Sequence, residues 1–281
     1  MSKACARFRA PSNVKLRDGD AGAVILGAAA QDGNGKRDKA ELKTLDRDET
    51  QRLIGRIAEL QAMLYAQRER KVLLILQGMD TSGKDGTIRA LFNQVNPVGI
   101  RAQAFKAPTA PELAHDYLWR VHQQVPVSGE IAIFNRSHYE DVLVPFVTGA
   151  IGPAECKRRH AHIADFERML AETGTVVVKV FLHISKDEQR QRLQERIDDP
   201  SKHWKFDVSD IEQRKQWSDY QAAYEQAIRA TDADHAPWYI VPADSKTQRN
   251  LAIAAILLET LERLKLDWPP ANPKLTGLTI A

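Results

Sequence analysis

Cysteine is nearly absent. Cys5 and Cys156 are the two in 281 residues, too few and too far apart for a disulfide framework or a cysteine metal site. That usage suits a reducing compartment. No stretch approaches the ~18 apolar residues of a membrane-spanning helix. The opening residues, MSKACARFRA, run into polar sequence without an apolar core, so they do not read as a secretory signal. The cytoplasm is the expected location, with no membrane partner. Neither charge dominates: Lys and Arg total 40, Asp and Glu 37, and the net charge is +3. This argues against bulk nucleic-acid binding, and no nucleic-acid partner is expected. Internal repeats and low-complexity tracts are missing too. What remains is 43% hydrophobic and long enough for one large α/β domain or two small ones.

Residues 1–43, rich in Gly, Asp, Lys and Ala, show weak periodicity and are expected to form a flexible or partly ordered extension. A helix is expected from about Asp46 to Arg68, with Leu53, Ile57, Leu60 and Leu64 as its apolar stripe. Apolar runs then alternate with helical patterns. Lys71–Gln77, Ile100–Phe105, Ile131–Phe134, Thr175–Ile184 and Trp238–Val241 read as strands. Lys84–Val95, Glu112–Gln124, Pro153–Thr173, Lys186–Ile197, Trp217–Ala230 and Arg249–Leu266 read as helices. Such alternation means a parallel sheet with helices on both faces. The tail after Trp268, with Pro269, Pro270 and Pro273, is expected to be loose.

The segment after the first strand is Gly78-Met-Asp80-Thr81-Ser82-Gly83-Lys84-Asp85-Gly86. It fits G-x-x-x-x-G-K between a buried strand and a helix, the setting a phosphate-binding loop requires. Glycines permit left-handed backbone and close approach, and successive N–H groups then face one concavity at a helix N-terminus. Lys84 would add a point charge among the phosphate oxygens. One position departs: the usual Ser/Thr after the lysine is Asp85. That hydroxyl ordinarily ligates Mg²⁺, so Asp80 becomes the substitute metal carboxylate. The alternative is a structural glycine turn.

The third strand leads into Asn135-Arg136-Ser137-His138-Tyr139-Glu140-Asp141. Asn135 stands where a simple P-loop ATPase carries its metal-binding aspartate. Arg136 is placed as a bidentate fork for acceptor phosphate, and Glu140 and Asp141 fall on an opening helical turn. Arg136 and Glu140 pairing only with each other is the alternative. Between Arg190 and Lys215 basic residues are dense, including Arg192, Arg196, Lys202 and Lys205, and Asp199-Pro200 breaks the helix. A basic segment here, about 198–215, reads as a lid over phosphates, or else as a solvated helix and surface loop.

GMDTSGKDG, FNRSHYEDV and DDPSKHWKF, in this order and spacing, resemble the polyphosphate kinase 2 family, as do HDYLWRVHQQVP and FLHISKDEQRQRLQER. The resemblance covers about residues 45–268, with the lid inside one kinase domain and 269–281 as a tail. It implies an α/β P-loop kinase fold of the thymidylate-kinase type, with a parallel sheet, flanking helices and a helical lid. It implies Mg²⁺-dependent transfer between inorganic polyphosphate and adenine or guanine nucleotides, and a homo-oligomer, dimer or tetramer. Asp80 and Lys84 would be the loop's catalytic acid and lysine, with Arg136 and Glu140 completing the catalytic set. Gly78, Thr81, Ser82, Gly83, Asp85, Gly86, Lys106 and Asn135 would bind phosphate or nucleotide, and Arg192, Arg196, Lys202 and Lys205 polyphosphate. Some family members carry Asp-Arg-Ser-x-Tyr-Asn at the second motif. Asn135 and Glu140 resemble instead the subgroup acting on both nucleoside mono- and diphosphates.

His138 is expected to be a hydrogen-bonding residue, although a phosphohistidine is chemically possible. His160 and His162 lie on different helix faces and are not expected to bind metal. Trp119 is expected in the core, and Arg120 as a helix brace. Two competing functions share these features: an ATP-dependent nucleoside-monophosphate kinase, and a non-catalytic polyphosphate- or RNA-binding P-loop module.

Overall fold

The computed structural model describes residues 3–28, 38–275 and 277–280. Its centre is a five-stranded sheet formed by β1 (Lys71–Gln77), β2 (Ile100–Ala104), β3 (Ile131–Asn135), β4 (Thr175–His183) and β5 (Trp238–Pro242), in the order β2-β3-β1-β4-β5. All four pairings are parallel. The three central strands, β3, β1 and β4, are buried on both faces because helices cover both. Along β1, Val72, Leu74 and Leu76 join one core cluster, while Leu73 and Ile75 join the other. That alternation is the two-residue period of a strand.

The helices, in chain order, are α1 (Ala4–Phe8), α2 (Lys39–Gln67), α3 (Lys84–Phe92), α4 (Ala110–Leu113), α5 (Trp119–His122), α6 (Glu140–Val147), α7 (Pro153–Glu172), α8 (Lys186–Asp198), α9 (Ser209–Lys215), α10 (Trp217–Thr231) and α11 (Lys246–Arg263). α2 and α11 belong to the first core cluster through Ile54, Ile57, Leu64, Ile253 and Leu257. Phe166 and Leu170 of α7 belong to the second. The chain leaves β1 toward one sheet edge and leaves β3 toward the other. The crevice therefore opens at the carboxyl ends of β1 and β3, where such sheets bind ligands. Both sequence motifs begin there.

The structure refines three expectations. First, the described part of the N-terminal extension is docked on the domain. Ala4, Cys5 and Phe8 are buried. The Ala10 N–H donates to the Trp238 carbonyl at 2.9 Å, and Arg9 pairs with Asp232 at 3.0 Å. His183 Nε2 meets the Arg17 carbonyl at 2.7 Å. The segment covers the edge of β5, which would otherwise present unpaired backbone groups. Residues 29–37 lie outside the described residues. Second, α2 begins at Lys39, capped by Asp38, although its buried face starts only at Asp46. Third, the expected helix over 112–124 is two short helices. The Asp116 carboxylate accepts from the Leu118 N–H at 2.9 Å between them, a side-chain turn that competes with helix. Trp119 is half-buried and stacks on His115 at 4.1 Å, outside both core clusters.

Among the described residues no helix is long and apolar enough to cross a membrane. A cavity of about 1020 Å³ lies between the N-terminal segment, α2 and α11, lined by Leu26, Leu53 and Leu251 among others. The candidate functional site is elsewhere, at the sheet's carboxyl edge.

Candidate active site

The loop 78–83 wraps around the start of α3. Thr81 (φ 63°) and Gly83 (φ 101°) are left-handed. At Gly83 a Cβ would fall 1.9 Å from Arg249 Nη1, so glycine is required for space as well as for backbone. Lys84, 8% exposed, turns back into the loop and donates to the carbonyls of Gly78 at 2.8 Å and Met79 at 3.3 Å. Burial, then the nearby Arg136, push its ammonium down to about 8. Asp80, Glu140 and Asp85 oppose that shift. The hydroxyls of Thr81, Ser82 and Thr87 are buried with no hydrogen-bond partner among the described residues. Buried polar atoms without partners are rare in folded proteins, and here three of them lie in and just after the loop.

The second motif faces this loop across the crevice. Arg136 is left-handed (φ 62°), and its N–H bonds to the Leu76 carbonyl at 3.0 Å, tying the end of β3 to β1. The Arg136 guanidinium donates to Asp80 at 2.7 Å and lies 4.0 Å from Glu140. Burial works against its charge, but Glu140 and Asp80 together raise its pKa above the ordinary arginine value. Burial pushes the Glu140 carboxyl up, with Arg136 and Lys84 pulling the other way. Gln77 completes the corner. Turned so that its amide nitrogen faces Glu140, it donates there at 3.0 Å and accepts from Ser137. Tyr224 of α10 approaches the same amide at 3.4 Å.

The two departures from the usual P-loop pattern touch each other. Asn135 Nδ2 donates to Asp85 Oδ1 at 2.5 Å. An ordinary loop pairs a hydroxyl after the lysine with a strand-end aspartate. Here the carboxylate and the neutral partner have exchanged places, so one hydrogen bond survives both substitutions.

The segment after α8 returns toward the loop. Lys205 lies 3.9 Å from Asp85, with its ammonium 4.8 Å from the Trp204 ring centroid. Arg196 reaches the Lys205 carbonyl at 3.0 Å and Asp210 at 3.7 Å. Lys202 pairs with Asp199 at 2.8 Å on the surface. Gln189 of α8 donates to the Asp80 carbonyl at 3.3 Å. Lys106 is exposed at the end of β2, and its carbonyl is held by Arg120 at 2.9 Å. Arg120 and Asp141 form a buried bidentate pair at 2.8 and 3.0 Å, a brace between α5 and α6.

Residues 40–268 match the family model described as polyphosphate kinase 2 (PPK2). The chain belongs to the polyphosphate kinase 2 family. It is 53% identical over 243 residues to the AMP/ADP-polyphosphate phosphotransferase of Meiothermus ruber, covering 82% of this chain and 91% of that protein. It is 43% identical to the ADP-polyphosphate phosphotransferase of Rhodopseudomonas palustris, covering 78% and 80%. Among solved structures, polyphosphate kinase 2 from Arthrobacter aurescens TC1 superposes with a TM-score of 0.88 at 41% identity, covering 96% of this chain and 93% of that one. As a polyphosphate kinase 2, the protein is a phosphotransferase-family enzyme with the parallel P-loop kinase sheet.

The expected site residues divide in this setting. Asp80, Lys84, Asp85, Asn135, Arg136 and Glu140 converge on the crevice, and Lys205 reaches its rim. Arg192 does not. It is buried behind the loop, donating to the carbonyls of Thr81 at 3.0 Å, Ala243 at 2.9 Å and Asp244 at 2.7 Å. A lid arginine was expected at this position. The α8 periodicity places Arg192 on the buried face with Leu193 and Gln189, so its fork grips the loop from inside. Sequence reading also passed over Gln77, Gln189, Tyr224 and Arg249. Gln77 and Tyr224 read as ends of apolar runs. Arg249 reads as one polar residue opening an apolar helix.

Proposed function

We propose that this chain transfers a phosphoryl group from inorganic polyphosphate to AMP and to ADP, and reversibly so. The observation that carries the reading is the single cluster of Lys84, Asp80, Arg136 and Glu140 between the phosphate loop and the end of β3. The relative from Meiothermus ruber, named for both AMP and ADP, supports the dual acceptor. The Asn135 and Glu140 pattern points the same way. Guanine nucleotides are a further acceptor class, in line with relatives named for GDP.

The acceptor is a phosphate oxygen, largely ionised at neutral pH because its second pKa is about 6. No strong general base is needed. The barrier is repulsion between two polyanions, so positioning and charge neutralisation dominate. Lys84 and the loop N–H groups hold the transferred group, and Arg136 grips the acceptor as a fork. Asp80 and Glu140 set the orientation of Arg136. Lys205, with Arg196 shaping its loop, closes the rim and keeps water out. Lys202 and Lys106 extend the basic surface.

The residues fit Mg²⁺. Among the described residues no group of three or more His, Cys, Asp or Glu side chains is placed to hold a metal. Mg²⁺ ordinarily takes one or two carboxylates plus substrate phosphates. Asp80 and Glu140 supply hard oxygens beside the loop, and Mg²⁺ held there would neutralise phosphate charge. The proposed working unit is residues 44–268 with 198–215 as lid, assembled as a homo-oligomer in the cytoplasm.

The test mixes the protein with AMP, long-chain polyphosphate and Mg²⁺, without ATP, and follows nucleotides by chromatography. A parallel sample replaces polyphosphate with GTP. ADP and then ATP are expected only with polyphosphate. Conversion of ADP but not AMP would remove the dual-acceptor reading. Phosphorylation by GTP alone would make the protein an ordinary nucleotide kinase.

A further inference from the structure

Behind the phosphate loop, on the side away from the crevice, two arginines lie side by side. Arg192 comes from α8 and Arg249 from the first turn of α11. Arg192 has an acidic partner, Glu188 at 2.7 Å. Arg249 has none among the described residues. Its Nη1 donates to the Ser82 carbonyl at 3.1 Å, and its Nε and Nη2 donate to the Asn250 side-chain oxygen at 3.2 and 2.9 Å. Both acceptors are neutral. Arg249 is 3% exposed, and burial, then the charge of Arg192, push its guanidinium down to about 9. A buried cation held only by neutral groups is costly to keep.

Two features make its place specific. Arg249 and Arg192 converge on one carbonyl, that of Ser82, at 3.1 and 3.4 Å. In a planar trans peptide the carbonyl and the following N–H point in opposite directions. Drawing the Ser82 carbonyl back toward the arginines therefore turns the Gly83 N–H forward, into the concavity beside Lys84. The guanidinium also lies against Gly83 itself, where a Cβ would meet it, so any side chain at 83 would dislodge it.

We infer that Arg249 is a positioning residue for the donor phosphates: it aims the Gly83 N–H into the loop and leaves behind it a positive charge that a bound polyanion completes. This rests on the reading of the loop as a polyphosphate cradle. The charge is oriented before any ligand arrives, so it acts as preorganised electrostatics in a region with little water. Arg192 grips the loop similarly, but its charge is matched by Glu188. Of the two, Arg249 is the one whose missing partner an incoming anion replaces.

The test compares wild type, Arg249→Met and Arg249→Lys. Tripolyphosphate binding is read by calorimetry, the melting temperature of the unliganded proteins by scanning, and KM for polyphosphate and for AMP by turnover. Arg249→Met removes an unmatched buried charge for an apolar chain of similar length, so the unliganded melting temperature should hold or rise. Tripolyphosphate affinity should fall at least about tenfold, because the Gly83 N–H loses its aim and the loop loses the charge behind it. KM for polyphosphate should rise with it and KM for AMP stay within about twofold. Arg249→Lys keeps charge without the fork and should fall between. Wild-type affinity in Arg249→Met overturns the inference. So does a lower melting temperature with affinity intact, which marks a purely structural brace. If Arg249→Met does not fold, Arg249→Lys decides, and wild-type affinity there overturns the inference. Wild-type protein that does not bind tripolyphosphate at all would instead remove the cradle reading, and this role with it.

Discussion

One heptapeptide, Asn135–Asp141, feeds two clusters of charge that are built in opposite ways. His138 and Tyr139 face inward. His138 meets Glu167 at 3.2 Å, and the Tyr139 hydroxyl reaches Glu167 at 2.9 Å and Thr231 at 2.8 Å. Lys179, in the middle of β4, contacts Glu167, Tyr139 and the Thr231 carbonyl. Burial alone would raise the Glu167 carboxyl, yet Lys179 and His138 hold it below its ordinary value. Arg136 and Glu140 face outward. Arg136 is 37% exposed, and Lys84 opposite is held by two neutral carbonyls rather than by a carboxylate. In the sealed cluster the buried lysine meets its counter-charge, and the network ties the motif to β4, α7 and α10. In the open cluster the lysine has no carboxylate within ion-pair distance among the described residues. The contrast also shows what His138 is for: it anchors the turn that aims Arg136 and Glu140.

The strongest way to break this contrast is through the sealed side. Glu167→Ala leaves Lys179 buried without its carboxylate. Removing one partner of a buried pair costs about 3–5 kcal/mol. Melting should fall by about 10 °C, taking ~2–4 °C per kcal/mol for a domain of this size. A shift of a degree or two would mean that the network does not fix the motif. On the open side the signature reverses. Lys84→Ala should lower kcat by roughly 10²–10³, the usual cost of one electrostatic stabiliser. Its melting temperature should hold or rise, because a buried charge is gone. Near-normal turnover would remove the role assigned to Lys84.

Titration sharpens the same difference. Lys84 sits at about 8, below its ordinary 10.5, and loses its charge as pH rises through 8. The rate constant kcat/KM should therefore fall above that pH, up to about tenfold per unit. At saturating polyphosphate the bound anion raises the lysine again, so kcat should hold to higher pH. Stability moves the other way. Between about 8 and 10.5 the unfolded chain binds more protons at this group, so its contribution to stability improves with rising pH. Lys84→Arg should abolish the alkaline limb in kcat/KM; a limb that persists belongs to another group.

The smallest effects belong to the rim. Lys202 and Asp199 form an exposed pair, so Lys202→Ala should leave thermal unfolding essentially unchanged. Lys205→Ala should leave melting unchanged and raise KM for polyphosphate severalfold, more steeply at low salt because surface attraction is screened. Equal effects of the two variants on KM would erase the distinction between rim and surface.

Much of this was legible in the residues. The apolar runs of β1 and β4 marked buried parallel strands. Gly78, Gly83 and Lys84 marked the tight loop between β1 and α3, because few other uses put glycines and a lysine at that spacing between strand and helix. Arg136 and Glu140 were legible as neighbours, one at the end of the third strand and the other on the opening turn of the next helix. Arg192 was misread because a basic composition does not say which helix face a residue occupies. The docking of residues 3–28 was not legible because a strap has no periodicity of its own; its order comes from the β5 edge that it covers. Trp119 was misread because the Asp116 turn reset the helix phase.

The local chain by itself determined which segments could be strands and helices, where the backbone could turn left-handed, and which charges lay near the loop, since these depend on neighbours a few residues away. Only tertiary structure decided which of those charges are matched. Lys179 meets Glu167, Asn135 meets Asp85, and Arg249 meets the Ser82 carbonyl, across separations in sequence that no local pattern encodes. Electrostatic energy depends on distance and burial in the folded molecule, and that decides which lysine meets a buried carboxylate and which is held by neutral carbonyls.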